Sequence, residues 1–489
     1  MVQYALMNVA EWIGRRGAGL ALALAVGCST VFEARESQRA LAAKGEDAAC
    51  DAAPSPVDFR RQSLEGLVAF ALTNRPSVVS KTLAVRDARL ALKALAAEAP
   101  VVSDTPWTAP KLSVSGGHSE SSDAVHLDDG DLWRAEGGAS AALSLELLVY
   151  DFGRYAAQAR AQAERVVAAE LALADEGFSV FRAVAEGYFD FWERRALLAV
   201  AQTNAQQYAV HLAQAEARRE AGEANRLDVL KARLDLAQAE QAVVAASNRV
   251  ETTGATLLQA LGVDARRGTW QTAFGVEAVG PDALRQALAA TDEDVGAAFA
   301  FARTNAPALR VARAKLRAAS HDVDAAIADL YPSVSATASL SWTDPLWVFR
   351  WGLTASQSLF QGFRKTTAID RAVVALESAA ADVDEAEQTL SVELETAVAN
   401  RDNAREALAS ARASMRRAAE NLATVREQFA VGSASRVELS EAIAADSQAR
   451  GDGITAFYDG QRAEAALLAQ AGRWPQYREA AVSADGQEP

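Results

Sequence analysis

The side chains best suited to chemistry are few in this 489-residue chain and stand apart. Four histidines, His118, His126, His211 and His321, are scattered, and none sits at metal spacing with cysteines or carboxylates, so no zinc-type site can be assembled. The run Asp128-Asp129-Gly130-Asp131 carries the oxygen donors that Ca²⁺ takes, but with its glycine between two β-patterned stretches it reads as a solvated hairpin loop. There is no Walker loop and no dinucleotide fingerprint. The expectation is a protein that is not an enzyme and uses no metal or cofactor. A net charge of −15 also argues against nucleic acid as a partner, because phosphate binding needs clustered cations.

What remains is a chain built for shape. Twelve prolines and 7 % aromatics leave little of the punctuation of several compact domains, while alanine and leucine favour long, closely packed helices. Three landmarks recur 210 residues apart: Arg154 and Arg364, Gly222 and Gly432, Gly262 and Gly472. One unit has therefore been built twice. Asn74-Arg75-Pro76 and Asn305-Ala306-Pro307 open the two copies 231 residues apart, so the first copy carries 21 extra residues before Arg154. These are assigned to its strand region.

In that region the period switches from helical to two. Val334, Ala336, Ala338, Leu340 and Trp342 alternate with Ser333, Ser335, Thr337, Ser339 and Ser341, and Leu143, Leu145 and Leu147 alternate with Ser144 and Glu146. Each run thus has an apolar face opposite a polar one. Trp107, Trp133, Trp342, Trp347 and Trp351 are expected at strand ends, where a membrane interface favours them. About four strands per chain cannot close a barrel or hide their edges in lipid. The smallest closed assemblies are a dimer with about eight strands or a trimer with about twelve.

The helices are of unusual length. From Arg364 to Val431 there is neither glycine nor proline over 68 positions, about 100 Å of helix. Leu408, Met415, Leu422 and Phe429 repeat every seventh residue, with Ala411, Ala418 and Val425 between them, as in a coiled-coil seam. Leu198, Ala201, Ala205, Tyr208, Leu212 and Ala215 hold the same positions one repeat earlier. Each helix breaks at Gly222 or Gly432 and a second returns, giving two long hairpins.

At the N-terminus Arg15 and Arg16 precede the apolar run 17–27 and Cys28, the charged and hydrophobic regions of an export signal and too short to span a bilayer. Ala25-Val26-Gly27-Cys28 resembles the lipobox of bacterial lipoproteins, which implies diacylation of Cys28; ordinary cleavage, or simply a frayed apolar terminus, is the alternative. Cys50 would then have no partner for a structural disulfide. The chain divides into a signal (1–28), a flexible linker (29–60), a first repeat (61–270), a connector (271–290), a second repeat (291–475) and a tail (476–489).

The order of these parts resembles the TolC-like outer-membrane efflux proteins. Tyr150-Asp151-Phe152-Gly153-Arg154 and Phe360-Gln361-Gly362-Phe363-Arg364 look like that family's exit from strand to long helix. Residues 221–230 and 431–439 look like its hairpin tips. The resemblance implies a mainly α fold with a small β part: a duplicated helix, β-hairpin and long helical hairpin, forming a homotrimeric α-barrel tunnel below a twelve-stranded transmembrane β-barrel. It implies a passive duct in the bacterial outer membrane, extending into the periplasm and opened by a periplasmic adaptor (membrane fusion) protein and an inner-membrane transporter, for efflux or type I secretion. Tip positions Gly222, Arg226, Leu227, Gly432, Arg436 and Val437 match the adaptor-docking motif, although a turn alone would explain both glycines. Glu438 and Glu441 match the acidic lining of the periplasmic mouth, one helix face in each subunit; a solvated face is the bland reading. The family's usual aspartates are glutamates here and its nearby arginine is Ala434, so the resemblance supplies no latch. A scaffold that tethers envelope layers without conducting is the other class, and it has no need of tryptophan-edged strands.

Overall fold

The computed structural model describes residues 64–96, 111–125, 132–222, 225–263, 295–343 and 346–472, with isolated positions 34, 38 and 99. The expected signal with Cys28, Cys50, the 29–60 segment apart from positions 34 and 38, the 271–290 connector, the 476–489 tail, Trp107, His126 and the acidic run 128–131 lie outside the described residues. Everything below concerns the unit Val57–Pro489.

Helices α1 (Leu64–Asn74) and α2 (Pro76–Ala96) lead into β1 (Lys111–Val125) and β2 (Leu132–Tyr150), and α3 (Arg154–Glu220) with α4 (Arg226–Ala260) makes the first long hairpin. The second copy repeats this as α5 (Val295–Asn305), α6 (Pro307–Ala328), β3 (Ser333–Thr343), β4 (Leu346–Ser356), α7 (Arg364–Ala430) and α8 (Arg436–Gln470). Corresponding long helices have equal lengths, 67 residues for α3 and α7 and 35 for α4 and α8. The longer pair spans about 100 Å at a helical rise.

Proline sets the breaks between short helices. Pro76 and Pro307 lack an N–H and disfavour helical geometry in the residue before them, so each ends one helix and opens the next. The far ends of the hairpins return to these same breaks. Gly262 turns with φ +77°, and a Cβ there would lie 3.1 Å from the Arg75 Cα; at Gly472 it would lie 3.3 Å from the Asn305 carbonyl oxygen. Two landmarks separate in the sequence are thus one contact in space, and only glycine fits it.

The main core gathers Leu67, Val180, Phe189, Phe191, Leu257 and Leu261, all nearly or fully buried. A smaller one joins Leu309, Leu394 and Leu467 in the second copy. Burying each phenylalanine contributes up to about 3 kcal/mol. Helix α6 lies along α3, where Arg165 pairs with Asp322 at 2.6 Å and Arg317 with Glu164 at 2.9 Å. Such half-exposed pairs add under about 1 kcal/mol each, so they set register between the copies more than stability. From Leu408 to the end of α7 the expected heptad residues Leu408, Ala411, Met415, Ala418, Leu422, Val425 and Phe429 are the ones turned from solvent, with Ala413 the one addition.

One antiparallel sheet in the order β1-β2-β3-β4 joins the two copies. Its register makes one face apolar across all four strands. Rows Leu112–Leu145–Ala338–Trp351 and Val114–Leu143–Leu340–Phe349 lie on that face, and Ser113–Ser144–Ser339–Arg350 lies on the other. Trp342 and Trp347 meet at the hairpin end, ring centroids 6.3 Å apart. Trp351, expected at a strand end, stands instead in the middle of β4 and is 78 % exposed, because the apolar face, not the interface, sets its spacing. The 21 extra residues are only partly strand. β1 and β2 pair for eight residues beyond the level at which β3 and β4 end, and much of the remainder falls in the α2–β1 connection.

Candidate functional site

The tips are built by turn chemistry. At the second, Gly432 adopts φ +79°. Its N–H donates to the Phe429 carbonyl at 3.2 Å, and the Ser433 N–H to that of Gln428 at 2.9 Å, which closes the last turn of α7. Ser435 then caps α8: the Glu438 N–H donates to Ser435 Oγ at 3.2 Å, and the Ser435 N–H donates to Glu438 Oε2 at 2.6 Å. That reciprocal pair satisfies two otherwise orphaned donors. At the first tip Gly222 also has φ +79°, and the Asn225 N–H donates to Asp228 Oδ2 at 3.3 Å.

These bonds place the acidic residues. Glu438 is fully exposed, and its hydrogen bonds with the Ser435 backbone and hydroxyl hold its carboxyl below the usual glutamate range, since both favour the charged form. It is therefore a helix-cap residue as well as a surface carboxylate. Glu441 is exposed one turn on.

The two arginines of the tip motif part company. Arg226 and Leu227 are exposed, as is Val437. Arg436 is not: its side chain is 19 % exposed, and Nη1 donates to Asp235 Oδ2 of α4 at 3.1 Å, with Nε 3.8 Å from Asp228 Oδ1. It ties the second hairpin to the first within one chain. Asp228 and Asp235 were not singled out by sequence reasoning. A signal existed, since the positions one repeat on are Glu438 and Ala445, so only the first copy has both acids.

Beside this link His211 lies edge-on to Phe429, centroids 5.5 Å apart. Burial first, then Arg436 and Arg426, hold its imidazole below the ordinary histidine pKa, against a backbone hydrogen bond and Asp235, which act the other way. A groove of about 820 Å³ opens here between α3 and the second hairpin, lined by Val210, His211, Arg218, Arg426, Phe429 and Leu439. Higher up, buried Glu193 accepts from Arg462 at 2.6 Å and from Thr455 at 3.2 Å, a second tie between hairpins. Three or more histidine, cysteine or carboxylate side chains do not converge as a metal site anywhere among the described residues. Among those residues no helix is long and apolar enough to cross a membrane.

Long helical hairpins joined to a small sheet with one apolar face make up this fold. The sequence profile of the outer membrane efflux protein family matches residues 72–263 and 301–473, and the chain belongs to that family. The family match places it among outer-membrane channels whose helices extend into the periplasm. Among solved structures, CusC is 19 % identical with a TM-score of 0.74, covering 86 % of this chain and 94 % of its own. VceC from Vibrio cholerae is 15 % identical at 0.70, covering 84 % and 96 %. CmeC from Campylobacter jejuni is 15 % identical at 0.71, covering 84 % and 85 %. No curated protein matches the chain.

Proposed function

We propose that three copies close into one duct: four strands from each make a twelve-stranded barrel in the outer membrane, and the helical hairpins continue it as a tunnel through the periplasm. The observation that carries this reading is the sheet. Its β1 and β4 edges have no partner strand among the described residues, and its apolar face leaves Trp347, Phe349, Trp351 and Leu353 exposed on β4. Water tolerates neither feature well, whereas a closed barrel in lipid satisfies both. CusC, a structural neighbour, has been described in connection with transmembrane channel formation. A tethering scaffold has no use for such a sheet.

In this reading residues 61–270 and 291–475 are the two halves of the wall, and Cys28 is the acylated first mature residue. The duct is passive and is opened by a periplasmic adaptor and an inner-membrane transporter. Gly222, Arg226, Leu227, Gly432 and Val437 form the docking tips, helped by exposed Leu230 and Leu234, which continue the Leu227 stripe along α4. Glu438 and Glu441 ring the mouth. Arg436, grouped by its motif with the docking residues, holds the two hairpins together there through Asp235 and Asp228, an ion pairing that the methyl group of Ala434 cannot make.

Detergent-purified protein is expected to have the native mass of three chains and to conduct ions in a planar bilayer. A monomer that gives no conductance refutes the reading.

A further inference from the structure

Over the rows that all four strands share, the hydroxyl face of the sheet carries little charge; beyond them Asp123, Arg134 and Glu136 fall at register positions of the same face on β1 and β2. In the rows that all four strands share, its charged residues are Lys111, Glu146 and Arg350. Lys111 and Glu146 stand directly opposite each other on β1 and β2, where side chains of opposite sign lie within about 5 Å and attract. Arg350 has no such neighbour. Its row is completed by Ser339, Ser144 and Ser113, and the last two share a hydrogen bond, Oγ to Oγ, of 2.6 Å. The next residue of β4 on this face is Gly352, around which a side chain would meet nothing within 4 Å. Arg350 is exposed, and no carboxylate of a described residue forms an ion pair with it. It stands close to the middle of β4, between Phe349 and Trp351, which point to the opposite face and are 65 % and 78 % exposed.

This placement is unusual in a chain of net charge −15. Resting on the closed-barrel reading above, we infer that Arg350 determines the ion preference of the barrel lumen. Threefold symmetry sets three guanidinium groups at one level, on a wall of hydroxyls and backed by apolar side chains that face lipid. Lys111 and Glu146 cancel one row away, so within the rows that all four strands share the barrel interior carries a net positive ring at the level of Arg350, although the protein as a whole is acidic. Low-dielectric walls concentrate the field of such a ring, and rings of arginine or lysine favour anions. Guanidinium also matches carboxylate and phosphate oxygens in two-point fashion. The class of solute that the barrel holds and passes most readily is therefore the oxyanion. This preference is opposite to the one the glutamates would impose at the periplasmic mouth, so the duct has two filters in series.

The test is the reversal potential of the full-length protein in a planar bilayer under a KCl gradient, for wild type, Arg350→Gln and Arg350→Lys. Arg350→Gln is expected to raise the potassium-to-chloride permeability ratio at least about twofold, and Arg350→Lys to leave it near wild type, because a charged ring is retained. The difference should shrink between about 0.1 M and 1 M salt, as the screening length falls from about 10 Å to about 3 Å. A conducting Arg350→Gln channel with the wild-type ratio overturns the inference and leaves the duct standing. So does an Arg350→Lys channel that behaves like Arg350→Gln. A wild-type protein that does not conduct removes the duct and this ring with it.

Discussion

At Gly222 and at Gly432 the chain reverses with the same φ of +79°, and in both turns a carboxylate three residues into the next helix folds back onto the cap. The arginines that open the two returning helices are nevertheless used differently: Arg226 lies in solvent, while Arg436 is drawn between hairpins by Asp235 and Asp228. The first tip supplies the acids and the second the base. The two copies share the backbone of the turn, and differences in a few side chains make the two ends complementary halves of one link. Identical local structure therefore does not imply identical roles.

Arg436→Ala should break this asymmetry most strongly. It leaves Asp235 without its hydrogen-bonded cation, a loss of about 1–2 kcal/mol for a charged hydrogen bond that is mostly shielded from water. If the link restrains the mouth, open probability, and with it the mean conductance per channel, should rise several-fold, roughly what a change of that size does to an opening equilibrium. Arg226→Ala should change melting by less than about 0.5 kcal/mol and leave conductance near wild type. Equal responses from the two variants would erase the distinction.

Gly222→Ala and Gly432→Ala sharpen the other side of the comparison. Both place a Cβ in left-handed backbone with open space around it, so each should cost about 1 kcal/mol through strain alone. Thermal denaturation of the two variants should agree, and a large difference would show that the turns are not equivalent.

The smallest effect is expected from pH. His211 belongs to the first copy only, since its counterpart one repeat on is Asn421. Its pKa is lowered in the folded protein, so its contribution is present above the ordinary histidine value and is lost as pH falls, when the unfolded chain takes up the proton more readily. Melting temperature should therefore drop between about pH 7.5 and pH 5 a little more for wild type than for His211→Gln. Identical pH profiles would count against the assignment.

Much of the frame can be read from residue order. The heptads of α7 are the residues the helix turns inward, and the alternation of Leu143 with Ser144, or of Leu340 with Ser341, separates the two faces of the sheet. These features are local: a helix or a strand needs only its own periodicity to decide which side is apolar. Trp351 shows the limit, since alternation places it on a face but composition alone misplaces it at a strand end. The partner of Arg436 lies 201 residues away. No spacing rule reaches that far.

From the amino-acid order come the duplication, the helix lengths, the turns at glycine and proline, and the two-faced strands, because each follows from torsional preference and from the side on which apolar groups fall. Only the folded chain decided that Gly262 closes against Arg75, that Glu438 is spent on a cap, and that Arg436 binds the other repeat while Arg350 stands alone among serines. These depend on which surfaces meet after the copies pack, and at that stage a side chain's partner is chosen by distance in space rather than along the chain.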